Sequence, residues 1–154
     1  MSNYASVVNY IRDTFKSDKL VNEVIFGPLD DRNLASNNIY PLVHITPLNT
    51  SYSSGDDTFN FISFSFEIAV IEIRQKGIQF GKDEFYKDNL IDNLNLANQI
   101  MVNALSVIRS DYNQDEIFFE SVTDAQPIIF QDTQLLDGWM IDLTLNIPNN
   151  YTRC

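Results

Sequence analysis

Residues 59–74, FNFISFSFEIAVIEIR, commit this chain to a fold built on a β-sheet. Phe64, Phe66, Ile68 and Val70 alternate with Ser63, Ser65, Glu67 and Ala69. Successive side chains of a strand point to opposite faces, so one face of this segment is apolar and the other polar. An apolar sheet face needs a second layer over it. The phase breaks at both ends, because Phe59 and Phe61 precede the stripe on the opposite parity and Ile71 and Ile73 follow it there. Bulges near Ile62 and Ile71, or burial of both faces at the ends, account for the change. Strands usually run to roughly five or six residues, so one of this length extends past its sheet as an arm or hairpin.

The covering layer is encoded at residues 88–108. Leu90, Leu94, Ala97, Met101, Ala104 and Ile108 recur at steps of four and three, and Ile91, Ile100, Leu105 and Val107 widen the stripe. That spacing predicts a long amphipathic helix lying across the sheet. Asp88 suits its N-cap, Asp92 its first turn and Arg109 its far end. Val7, Val8, Ile11 and Phe15 predict a shorter helix over residues 3–17, capped by Ser2 or Asn3. Residues 21–26, VNEVIF, closed by Gly27-Pro28, predict a first strand. Residues 39–46, IYPLVHIT, predict a second, with Pro41 at its start or on an edge. A polar connection over residues 27–38 separates the two.

Residues 47–58, PLNTSYSSGDDT, have the composition of an exposed hairpin loop, and residues 74–82, RQKGIQFGK, that of a second loop. Beyond the long helix, residues 117–122 and the Pro127-interrupted PIIF supply fourth-strand material. Asp137-Gly138 reads as a turn into a last strand over residues 138–147, where Trp139, Ile141, Leu143, Leu145 and Ile147 share a face. The expectation is a single α+β domain, residues 1–154, with element order α-β-β-β-α-β-β and a polar tail at 148–154. Its mixed or antiparallel sheet of about five strands packs against one long helix, with the short helix at the N-terminus.

Charge narrows the partners. The formal net charge is −11, which repels a nucleic-acid backbone or an anionic membrane over most of the surface, so no sequence-specific nucleic-acid binding is expected. Residues 110–152 carry Asp111, Asp115, Glu116, Glu120, Asp124, Asp132, Asp137 and Asp142 with no Lys or Arg, whereas Arg74, Lys76, Lys82 and Lys87 fall close together. Such polarity suits a surface that meets a copy of itself or an oriented partner; it equally describes a merely acidic, soluble surface. The single cysteine, Cys154, allows no intrachain disulfide, and the first residues lack the apolar run of a signal peptide. An intracellular protein outside the membrane is expected.

No catalytic constellation is legible, and the chain is expected not to be an enzyme. His44, the only histidine, sits between Val43 and Ile45 in a predicted strand, where a structural or surface role outweighs a catalytic one. No serine lies in a Gly-x-Ser-x-Gly elbow, and one His with one Cys cannot furnish a zinc tetrad. Asp30-Asp31 and Asp56-Asp57 lack the spacing of a calcium loop, and Gly77 and Gly81 form no phosphate cradle. No cofactor or metal is therefore expected. Phe59, Phe61, Phe64, Phe66, Phe118, Phe119 and Trp139 have no basic groove beside them and are assigned to core and interfaces rather than to base stacking.

The order of elements carries a resemblance. IYPLVHI followed by a polar loop, the long FISFSFEIAVIEI strand, DNLIDNLNLANQIMVNALSVIR as one amphipathic helix and DGWMIDLTLNI near the C-terminus together resemble the tail terminator and tail-completion proteins of tailed bacteriophages. The resemblance spans most of the chain and rests on element order and short pieces, with no catalytic motif to match. It implies a ring of subunits, usually a hexamer, that caps the head-proximal end of the tail tube, stops its growth and offers the surface that joins the head. The implied partners are further copies of the chain, the tail tube protein and head–tail connector proteins, and the implied location is the virion, after assembly in the host cytoplasm. The exposed loops would make the contacts, with Ser51, Tyr52, Asp56 and Asp57 before the long strand and Arg74, Lys76 and Lys82 after it. The acidic C-terminal third would then face the basic cluster of the next subunit. A neck protein of the same virion region and a small cytosolic ligand-binding protein or enzyme are the alternatives.

Overall fold

The computed structural model describes residues 3–28, 39–55, 58–74, 88–110, 116–131 and 135–149. Among these residues, two helices cover one face of a mixed six-stranded sheet, which makes the protein α+β. No described helix is long and apolar enough to cross a membrane.

Helix α1 spans Tyr4–Lys16. It starts where the Asn3 side chain accepts the Ser6 amide (2.9 Å) while Ser6 Oγ accepts the Asn3 amide (2.7 Å), a reciprocal cap that satisfies two otherwise orphaned donors. Val7, Ile11 and Phe15, spaced by four, are fully buried against the sheet. Helix α2 spans Leu90–Ser110 and buries Ala97, Ile100, Met101, Ala104 and Ile108. The Asp88 carboxylate accepts the Leu90 amide (3.1 Å) at its start, and the Arg109 guanidinium lies 5.1 Å from the Phe119 ring centre at its end. The indole N–H of Trp139 donates to the Leu94 carbonyl (2.9 Å) and ties α2 to the sheet.

The strands are β1 (Glu23–Phe26), β2 (Leu42–Gly55), β3 (Thr58–Ile73), β4 (Phe118–Val122), β5 (Gln126–Gln131) and β6 (Leu135–Pro148). Their order is β1-β2-β3-β6, with β4 and β5 both paired to the far edge of β6. β1 lies parallel to β2, and every other pair is antiparallel. The main core lies between helices and sheet, where Phe64, Phe66, Ile68 and Val70 meet Val43, Ile45, Ile141, Leu143, Leu145 and Ile147. Burying each such side chain contributes about 1.5–3 kcal/mol relative to exposure.

Three expectations change. First, residues 47–55 are not a loop, because they extend β2 to Gly55 and pair with β3 as far as Gly55↔Thr58. Serine, asparagine and threonine favour turns in isolation, but here the neighbouring Phe-rich strand supplies a ladder for their backbone. Second, Asp137-Gly138 is not a turn: it lies within β6, opposite Glu72 and Ile71. Third, the sheet has six strands rather than about five. Residues 123–125 divide one edge into β4, paired with residues 143–146, and β5, paired with residues 135–140. At that break Thr123 Oγ1 accepts the Asp142 amide (2.9 Å) and the Thr123 amide donates to the Asp142 carbonyl (3.0 Å), which keeps the edge attached.

The change of phase in β3 has two different causes, each among those expected. The β3–β6 register runs unbroken from Phe61 to Ile73, so no bulge interrupts that ladder at Ile62 or Ile71. At the C-terminal end both faces are buried, with Ala69 and Ile71 packing against Ile128 and Leu136 in a second small cluster on the face away from the helices. At the other end the β2–β3 register shifts between Ser53 and Ser54, and again between Pro47 and Thr50. The expected polar tail lies outside the described residues beyond position 149, as does most of the 27–38 connection.

Candidate interaction surface

The hairpin of β2 and β3 outruns its neighbours. β1 accompanies β2 only over Leu42–Ile45, and β6 accompanies β3 only as far as the Phe61↔Pro148 pair. From Thr46 onward no described strand lies on the outer edge of β2. Residues 47–52 are all exposed there, and three large side chains face solvent: Leu48 (42%), Tyr52 (59%) and Phe61 (46%). Apart from Asp56-Asp57, which join its two strands in sequence, this arm carries no formal charge, since neither 45–55 nor 58–66 contains Asp, Glu, Lys or Arg in a chain whose net charge is −11.

Ser51 and Tyr52 thus belong to an exposed strand, opposite Ser63 and Ile62, rather than to a loop. Asp56, Asp57, Lys76 and Lys82 lie outside the described residues. Arg74 has a different role from the one its sequence neighbourhood suggests. Its guanidinium is only 8% exposed and grips the fully buried Asp137 with two bonds, Nε to Oδ2 (3.0 Å) and Nη2 to Oδ1. Asp137, by hydrogen bonding and charge, raises the Arg74 pKa further above its already high ordinary value. The Asn93 amide nitrogen donates to Asp137 Oδ2 (3.2 Å) and to the Ile73 carbonyl (3.1 Å), so one carboxylate joins β3, β6 and α2. The acidic partner expected on a neighbouring subunit is, for Arg74, in its own chain. Asn93 escaped notice because a polar residue on an amphipathic helix reads as solvent-facing until its buried partner is known.

His44 is fully buried, and its Nε2 lies 3.0 Å from the Gly27 carbonyl, which can only accept. The imidazole therefore carries its proton on that nitrogen and fastens the turn after β1 to β2. No family model and no curated protein matches the sequence.

The described residues also enclose two hollows. One, of about 440 Å³, lies on the sheet face away from the helices and is lined by Glu67, Thr123, Asp124, Gln126, Met140 and Asp142. Glu67 and Asp142 are directly opposite in the β3–β6 register, which makes it acidic. The other, of about 450 Å³, lies between α1 and α2 along Ser6, Tyr10, Asp13, Thr14 and Val107. Among the described residues no group of three His, Cys, Asp or Glu side chains is placed to hold a metal ion.

Proposed function

We infer that this chain is a structural assembly protein of a tailed bacteriophage, a tail terminator whose ring, with a hexamer as the expected size, caps the tail tube and provides the head-joining surface. The observation that carries the reading is the β2–β3 arm, in which residues 45–66 carry no charge but Asp56-Asp57 and Leu48, Tyr52 and Phe61 are exposed, on a body otherwise rich in acids. Exposed apolar side chains grouped on one element suit protein contact. The helix-backed sheet supplies a rigid body behind it, and the only histidine is committed to a backbone carbonyl. The element order that resembles the terminator family supports the same assignment.

The test mixes the purified protein with polymerising tail tube protein and images both by negative stain. A terminator forms rings, binds the tube end and fixes tube length. Rings that leave tube growth unaffected point instead to a neck protein. A monomer at high concentration that binds a small molecule tightly would overturn the assembly reading.

A further inference from the structure

On the β4–β5 side of the sheet the outward backbone groups can be located residue by residue. Among the described residues no strand lies outside β5. In an antiparallel ladder successive residues turn their N–H and C=O to opposite sides. The Asp142 carbonyl accepts the Thr123 amide, so the even-numbered positions of β6 face this edge. The Leu135 carbonyl accepts the Arg74 amide and faces the other way, as the alternation requires. Gly138 and Met140 thus bond to their register partners Ile128 and Gln126, while Pro127 and Ile129 turn their backbone outward. Pro127 fits there, because the N–H it lacks would have faced away from the sheet. The β5–β6 register runs unbroken from Gln126 to Gln131, and the Ile129 side chain is exposed. At the start of β5 lies the acidic hollow, to which Asp124, Gln126 and Asp142 contribute. Asp124 and Asp142 are both exposed, and no Lys or Arg lines the hollow among the described residues.

We propose that the outer edge of β5 takes an extended segment of a partner protein as an added antiparallel strand, with a Lys or Arg of that segment seated in the hollow beside Gln126. Two features choose this occupant. Ile129 offers an outward N–H and C=O and Pro127 an outward C=O, a pattern that an extended backbone satisfies and a helix does not. Residues 125–131 carry no charge, but Asp124 and Asp132 flank them and Asp142 lies in the hollow, so charge complementarity favours a basic segment. A second copy, at net charge −11, would bring its own Asp124 and Asp132 into the same field, which disfavours β5-to-β5 pairing. Alternate side chains of an incoming strand share the face of Gln126, so a basic residue near its C-terminal end reaches the hollow. The contact goes beyond the terminator reading and does not rest on it, since it uses neither the β2–β3 arm nor ring closure.

The probe is a fluorescein-labelled peptide of alternating valine and threonine that ends in two lysines, compared with the same peptide ending in two glutamates. Fluorescence anisotropy on the full chain at low salt should show saturable binding of the lysine peptide and binding of the glutamate peptide about tenfold weaker. The Asp124→Asn/Asp142→Asn variant should weaken the lysine peptide about tenfold, as loss of two exposed charge pairs allows. Ile129→Pro removes an outward N–H without touching the β6 ladder, so it should keep the circular dichroism spectrum and weaken binding about fivefold. Hydrogen exchange of the parent should slow at the Ile129 amide when the lysine peptide is added. Equal binding of the two peptides, full affinity in the Ile129→Pro protein, or an Ile129 amide left unprotected by the lysine peptide would overturn the proposal. So would a dimer in sedimentation equilibrium whose Ile129 amide is already protected without peptide, because that gives the edge to a second copy. Rings that fix tube length without peptide binding leave the terminator reading standing and remove this one, and peptide binding at β5 by a chain that forms no rings does the reverse.

Discussion

Gly138 gives the sharpest test of how β6 is seated. A Cβ built there would lie 1.8 Å from the Val70 carbonyl oxygen and 2.8 Å from its carbonyl carbon, both backbone atoms of β3. Relief therefore requires two central strands to part by on the order of 1 Å, since no side chain can rotate away, and close-packed interiors resist such displacement. Parting them also strains the register on either side, including Val70↔Trp139 and Glu72↔Asp137. Overpacking typically costs about 1–3 kcal/mol and occasionally more, and the backbone nature of this clash places Gly138→Ala at the upper end, about 3 kcal/mol. For a chain of 154 residues, each kcal/mol shifts Tm by about 2–4 °C, so the variant should melt roughly 6–12 °C below the parent. Circular dichroism melts with urea titration at 25 °C measure both quantities. A Gly138→Ala protein that melts within about 2 °C of the parent, with an unchanged urea midpoint, would refute the close approach of β6 to β3.

The Arg74–Asp137 pair predicts an asymmetric mutant cycle. Arg74→Met leaves a buried carboxylate with, among the described residues, only the Asn93 side chain donating to it and should cost about 3–5 kcal/mol, whereas the Arg74→Met/Asp137→Leu double variant should recover a large part of that loss by urea unfolding. A double variant as unstable as the sum of the two single variants would contradict the pairing. Glu72 predicts a pH effect: burial raises its pKa, and the bond its carboxylate accepts from the Ile73 amide offsets only part of this. Because the raised value belongs to the folded state, ionisation costs stability as pH rises through the carboxylate range, and the cost is absent below the unfolded value of about 4.3. Glu72→Gln should therefore be more stable than the parent at pH 7, with the gap closing by about pH 3.5. A gap that widens towards acid would reverse the sign and reject this account.

Periodicity carried most of the fold in advance. α1, α2 and the central strands were legible because their apolar spacing matches one backbone period over many residues, as at Val7, Ile11 and Phe15 or Ile141, Leu143 and Leu145. What stayed hidden depends on partners distant in sequence. The Ser- and Thr-rich end of β2 becomes strand only because β3 lies beside it. Gly138 looks like a turn residue until Val70 is seen against it. Arg74 looks like a loop cation until Asp137, sixty-three positions away, accepts it. The interaction surface is half visible: the polar composition around Ser51 and Tyr52 marks their segment as exposed, which it is. The stronger signal, residues 45–66 with no charge but Asp56-Asp57 in a very acidic chain, is present in the sequence.

The Arg74–Asp137–Asn93 knot has a consequence for how the chain tolerates change. Arg74 follows the last residue of β3 and Asn93 lies in the first turn of α2, and both are held by the single carboxylate of Asp137 on β6. A change at that carboxylate is therefore felt at the end of β3 and in the first turn of α2 together, although Arg74 and Asn93 stand nineteen positions apart in sequence.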